Sequence, residues 1–191
     1  MLLHKPKFWD YKKSNFLSSL LLPFSAIISI SNWINFLYYK KKFKIKTICV
    51  GNIYVGGTGK TPISIEIFNI LKKFKVKSVF VKKNYFKHKD EIRLLSKIGP
   101  IINLSSRIKS IAYAEKKKFE SAIIDDGLQD KSLKYDLKIV CFDKKNFIGN
   151  GKLIPAGPLR EKIDSLKKYD IVFLNGFGKL EKKIFLEIKK I

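Results

Sequence analysis

The run Gly56-Gly57-Thr58-Gly59-Lys60-Thr61 constrains this chain more than any other feature. It follows an apolar stretch ending at Val50 and opens a segment whose apolar residues recur at helical spacing. Successive glycines let backbone N–H groups turn inward around phosphate oxygens, and a helix N-terminus adds positive potential there. In such a loop Lys60 reaches the β- and γ-phosphates of a nucleotide, and the Thr61 hydroxyl ligates Mg²⁺. Tyr54, Val55, Gly56, Gly57, Thr58, Gly59, Lys60 and Thr61 are therefore the candidate ATP-binding residues. The strict phosphate-loop pattern has glycine where this chain has Tyr54, so only the core Gly-x-Gly-Lys-Thr is matched. A merely glycine-rich turn is the alternative; the ordered succession of strand, glycines, Lys-Thr and helix argues against it.

The remainder of the chain alternates in the way such a loop requires. Short Val- and Ile-rich runs predict strands at 45–50, 76–81, 101–104, 121–125, 137–142 and 171–174. Helical patterns start at Lys60, near Lys89 and at Ser106, with the Ser105-Ser106 pair as an N-cap. The expected fold is α/β: a mostly parallel sheet of the P-loop NTPase type, with helices on both faces. Residues 45–191 form this domain, and 146–160, with three Gly and two Pro, reads as a long ordered loop. Leu180, Ile184, Ile188 and Ile191 mark a last amphipathic helix. Cys49 and Cys141 each end an apolar run and read as reduced core thiols, not as a disulfide framework.

Residues 1–44 differ in kind. No charge occurs from Asn15 to Tyr39, a window long enough to span a bilayer, yet it contains Pro23, five serines and three asparagines. Ser25, Ser29 and Asn32 take one side of the helical spacing, and Ile27, Ile30, Ile34 and Leu37 take the other. Pro23 divides the window into two short helices. Lysines flank both ends, so no one-sided bias sets a spanning orientation. Helices lying in the membrane interface, with lysines on anionic phospholipid headgroups, fit best. A hairpin packed on the domain and a true span are the alternatives.

The formal charge is +24, which admits nucleic acid, an anionic membrane or a phosphorylated substrate. Of the 40 basic residues only Arg93, Arg107 and Arg160 are arginines. Lysine dominance without an aromatic-basic platform argues against a nucleic-acid binder. AT-rich codon usage would also produce such a composition with no functional demand.

Two further motifs carry chemistry. Ala122-Ile123-Ile124-Asp125-Asp126-Gly127 is an apolar strand ending in carboxylates, and an acid at that place holds Mg²⁺ directly or through water. Adjacent strand-end acids point to opposite sides, so one serves the metal and the other orients a loop. In Pro155-Ala156-Gly157-Pro158-Leu159-Arg160-Glu161, two prolines stiffen the loop that presents Arg160, a candidate catalytic and substrate contact. A surface Arg160–Glu161 pair is the plainer reading.

Gly51-Asn52 followed by GGTGKTP, then DDGLQ at 125–129 and PAGPLRE at 155–161, resembles the tetraacyldisaccharide 4′-kinase family of the lipid A pathway. The resemblance implies a P-loop kinase on the cytoplasmic face of the bacterial inner membrane, peripheral or monotopic. It implies transfer of the ATP γ-phosphate to the 4′-hydroxyl of an acylated glucosamine disaccharide. By position it implies phosphate and Mg²⁺ roles for Lys60 and Thr61, a metal role for Asp125 and Asp126, and a place near the metal for Gln129. Of the family's Ser-Arg-Gly-Tyr segment, aligned with Lys82-Lys83-Asn84-Tyr85, only Tyr85 is kept, as a substrate contact. Asp90 matches the family's base on the sugar hydroxyl. The chain departs from the family at Asp130, where histidine is usual, and this is expected to alter anchoring of the loop. Family members are commonly longer, with a smaller C-terminal lobe that closes over ATP and supplies a histidine to the catalytic Asp. This sequence ends before such a lobe, so weakened ATP binding is expected. His88, two residues from Asp90, would face away from it on a helix, and His4 reads as incidental. The rival readings are a P-loop NTPase with another acceptor, and a non-catalytic nucleotide- or lipid-binding remnant.

Overall fold

The computed structural model describes residues 5–10, 15–34, 40–83 and 89–177. Tyr85, His4, His88 and the 180–191 helix lie outside them. The strands are β1 (Lys46–Gly51), β2 (Ser78–Val81), β3 (Ile101–Ile102), β4 (Ser121–Asp125), β5 (Leu137–Asp143) and β6 (Ile171–Asn175). They form one six-stranded sheet in the order β3-β2-β4-β1-β5-β6. β1 and β2 both pair parallel to β4, and β3 pairs parallel to β2. The helices are α1 (Phe16–Leu20), α2 (Leu22–Ile34), α3 (Lys60–Lys73), α4 (Lys89–Ile98) and α5 (Arg107–Lys116). By backbone contacts the chain divides into two compact units, 38–51 with 59–139, and 1–37 with 52–58 and 140–191.

In the first unit every residue of β2 and β4 is buried, because parallel strands under helices lose both faces to water. Phe80 of β2 and Ile123 of β4 are register partners and join Phe68 of α3 and Leu95 of α4 in a core cluster. The Phe68 and Phe80 rings stack with centroids 4.7 Å apart. Val79, Val81, Ala122 and Ile124 alternate to the opposite face and are equally buried, as are Ile111 and Ala114 of α5, which packs on β2. Cys49 is one of two buried thiols, and burial pushes its pKa up.

Several boundaries are tighter than periodicity predicts. β2 starts at Ser78 instead of Val76 because α3 ends in a left-handed turn, with Lys75 at φ 58°. Val76 N–H donates to Leu71 O and Lys75 N–H to Lys72 O, which satisfies the last carbonyls of the helix. α5 closes the same way through Lys118, at φ 56°. β3 stops at Ile102, and Leu104 N–H turns to the Ser110 hydroxyl. Ser106 lies outside α5 as its cap, its side chain accepting from Lys109 N–H.

In the second unit α1 and α2 break at Leu21, and Pro23 sits in the first turn of α2, where its missing N–H costs nothing. Asn15 caps α1 by accepting from Ser18 N–H. The helices dock through their serines. Ser18 Oγ donates to Ala156 O at 2.8 Å and Ser25 Oγ to Leu153 O at 2.9 Å, while Trp9 Nε1 donates to Pro155 O at 3.0 Å. The apolar side faces outward: Phe16, Leu17, Leu20, Leu22, Phe24, Ile27 and Ile30 are all exposed. Among the described residues no helix is long and apolar enough to cross a membrane.

Candidate functional site

Each unit carries part of the predicted site. In the first, Gly59 caps α3 at φ 77°, a left-handed conformation that side chains resist and glycine adopts freely. The helix therefore begins on Lys60 and Thr61, with no acidic residue in its first turn to compete for an anion. Parallel pairing of β1 with β4 brings the end of β4 beside this helix start. The Thr61 hydroxyl donates to Asp125 Oδ2 at 3.2 Å, and Ser64 Oγ donates to Oδ1 at 3.3 Å. Asp125 is completely buried.

Alternation along the strand does not govern Asp126, which lies in the turn just past the end of β4. Its backbone is left-handed, its N–H donates to Val50 O, and its carboxylate lies 3.7 Å from Lys60 Nζ. The following turn is held from several directions. Tyr135 donates its hydroxyl to Gly127 O at 3.0 Å, and a Cβ on Gly127 would lie 2.4 Å from the Ile124 side chain. Arg107, buried at the start of α5, donates through Nη2 to Asp126 O at 2.5 Å and through Nη1 to Asp130 Oδ2 at 3.3 Å. The departure at Asp130 thus has a partner: an ion pair anchors the loop. Gln129 is half-buried on this turn.

Lys82, which motif reading left without a role, is buried one residue past β2, with its ammonium 2.5 Å from Asp125 Oδ2 and paired with Glu91. Burial works against its charge, but the carboxylates of Asp125 and Glu91 outweigh burial and raise its pKa. A signal for it was present: Val81 and Ile124 are register partners, so Lys82 and Asp125 follow them side by side. Asp90 is exposed on the first turn of α4, next to Glu91.

In the second unit Tyr54 and Thr58 are buried and the intervening residues are more open. The arm leading into the glycines pairs antiparallel with the Arg160 segment: Arg160 N–H donates to Ile53 O at 2.7 Å and Val55 N–H to Pro158 O at 2.9 Å. Asn52 Nδ2 crosses beneath, donating to Tyr54 O and Gly56 O. Tyr54, standing where the strict pattern has glycine, accepts from Lys5 at 2.7 Å and donates to Asp10 at 2.8 Å. Burial raises its pKa. Arg160 is half-buried, and the buried Glu161 accepts from the Tyr169 hydroxyl at 3.1 Å.

The donor chemistry fits both expected ligands. A hydroxyl and a carboxylate on one point are hard oxygen donors of the kind Mg²⁺ prefers. Thr58 Oγ1 is buried in the loop without a hydrogen-bond partner, as an incoming acceptor would require.

Comparison with known proteins shows the family to which the chain is similar. The family model for LpxK, the tetraacyldisaccharide-1-P 4′-kinase, matches residues 17–99 and 89–189. A tetraacyldisaccharide 4′-kinase of Pelagibacter ubique (strain HTCC1062) is 52% identical, over 100% of this chain and 61% of the relative. One from Rickettsia bellii (strain OSU 85-389) is 35% identical, over 90% and 58%. The crystal structure of LpxK from Aquifex aeolicus, described as an "apo" form in complex with ATP, superposes with a TM-score of 0.72 at 30% identity, covering 87% of this chain and 63% of that one. The chain thus spans about three-fifths of the length of these relatives.

Proposed function

The chain belongs to the tetraacyldisaccharide 4′-kinase family, and from that premise we propose that it transfers the γ-phosphate of ATP to the 4′-hydroxyl of an acylated glucosamine disaccharide. The observation that carries the reading is the contact between Thr61, at the start of α3, and the fully buried Asp125 at the end of β4. Phosphoryl transfer needs little covalent help from a protein; positioning and charge stabilisation supply most of the acceleration. The first-turn amides of α3 and Lys60 bind the β- and γ-phosphates. Thr61, Asp125, Asp126 and Gln129 are the residues that would hold a magnesium ion, which would supply positive charge to neutralise the phosphoryl oxygens. Arg160, stiffly presented by its paired loop, contacts the transferred group. Asp90 takes the proton from the sugar hydroxyl as it attacks in line, and Tyr85 contacts the sugar.

The exposed apolar side of α1 and α2 supports a membrane partner. It lies in the interface of an anionic bilayer, at the cytoplasmic face of an inner membrane, where the acceptor's acyl chains are anchored. The test is phosphate transfer from γ-labelled ATP to a lipid A precursor disaccharide by the purified 191-residue chain. Transfer that falls at least about a hundredfold in Lys60→Ala is expected. Transfer unchanged by that substitution would remove the loop from the mechanism. ATP hydrolysis indifferent to the disaccharide, without transfer to it, would point to another acceptor.

A further inference from the structure

We propose that Lys82 is a built-in cation that guards Asp125 against free divalent metal, so that metal enters this site only together with nucleotide phosphates. The inference rests on the reading of Thr61 and Asp125 as the metal-holding pair. Both Lys82 and Asp125 are buried, and Asp125 has no exposure at all. A carboxylate in that position requires a compensating charge, and the chain supplies it from its own neighbouring strand. The ammonium sits on Asp125 Oδ2, the same oxygen that accepts the Thr61 hydroxyl, while Ser64 occupies Oδ1. A cation bound between Thr61 and Asp125 would have to share or take that oxygen.

Charge decides the outcome. A carboxylate already neutralised by an ammonium has little net attraction for a bare dication, which must also shed part of its hydration. A dication arriving on a triphosphate brings its own anions. Those phosphate oxygens also offer the ammonium new acceptors at the moment it gives up Asp125. Glu91, whose side chain is 44% exposed, is a second partner already in place on the water side. The flexible four-carbon stem of lysine allows the shift without moving the strand.

The experiment titrates the 191-residue chain with MnCl₂ alone, following free Mn²⁺ by electron paramagnetic resonance, and then repeats the titration with a non-hydrolysable ATP analogue. The wild-type chain is expected to bind Mn²⁺ only at about millimolar concentration without nucleotide and far more tightly with the analogue. Lys82→Met, which keeps the length and removes the charge, is expected to bind nucleotide-free Mn²⁺ about tenfold tighter or more, and Lys82→Arg to restore weak binding. Equal nucleotide-free affinities in wild type and Lys82→Met would overturn the proposal. Should Lys82→Met fail to fold by circular dichroism, the wild type decides alone: nucleotide-free binding in the range of about tens of micromolar refutes the guard. A wild-type chain that ignores the nucleotide analogue undoes the kinase reading instead, and the nucleotide-free comparison still judges Lys82 separately.

Discussion

Replacing Phe24 and Ile27 together with serine separates the two sides of α2, one docked through hydroxyls and one apolar and open. Phe24 is 57% exposed and Ile27 63% exposed in the protein. Full burial of such a side chain is worth about 1.5–3 kcal/mol, so three-fifths of each leaves roughly 1–1.8 kcal/mol to be gained on entering a lipid interface. The pair then contributes about 2–3.5 kcal/mol, or roughly 30- to 300-fold in partition, since about 1.4 kcal/mol is tenfold. Flotation with vesicles containing anionic phospholipid measures this directly. The thermal midpoint should hardly move, because exposed side chains contribute little to folding. Ser25→Val is the control on the opposite side. It leaves Leu153 O without its donor in a buried contact and should cost about 1–3 kcal/mol of stability. Unchanged flotation of the double variant would refute the interfacial assignment, and a large loss of stability in it would show that the apolar side packs on protein.

Asp90→Asn should lower kcat far more than it raises KM for ATP; equal effects on both in steady-state assays would undo its role as base. Lys118→Gly should stabilise the protein by about 0.5–1 kcal/mol, because glycine adopts the left-handed turn after α5 without side-chain strain. A thermal midpoint raised by roughly 1–4 °C is the readout, and a fall would mean that the lysine's own contacts matter more. Asp136 accepts from Thr47 N–H and from Thr47 Oγ1, each at 2.9 Å. Burial works against its charge, but these bonds and the nearby Lys42 and Lys46 hold its pKa below the ordinary value of 3.8. A lowered carboxylate pKa contributes stability above the unfolded value and loses it as pH falls through the folded one. Asp136→Asn should therefore destabilise at neutral pH, with the difference vanishing in acid below pH 3.8; denaturant titrations at both ends of that range check it.

Much of the fold and part of the candidate site's local geometry were legible in the sequence. The buried parallel strands announced themselves as unbroken Val- and Ile-rich runs because burial on both faces removes any alternation. The glycines before Lys60 marked a backbone only glycine adopts easily, and the carboxylates ending β4 marked where a sheet can meet a ligand. The spacing of serines against isoleucines in 22–34 revealed two unlike sides of one helix.

What the amino-acid order determined by itself was the type of each element and the chemistry at its ends, since propensity, periodicity and turn conformation act within a few residues. Pairings across long separations were decided by tertiary structure alone. Lys82 meets Asp125 across 43 residues, Arg107 meets Asp130 across 23 and Tyr54 meets Asp10 across 44. Each of these depends on strand register or loop docking, which a shift of one residue would redirect to the opposite face. Tertiary structure also decided which side of α1 and α2 meets protein: Ser18 and Ser25 find carbonyls of the loop at 153–156, and Ile27 and Ile30 are turned outward because those backbone oxygens needed donors.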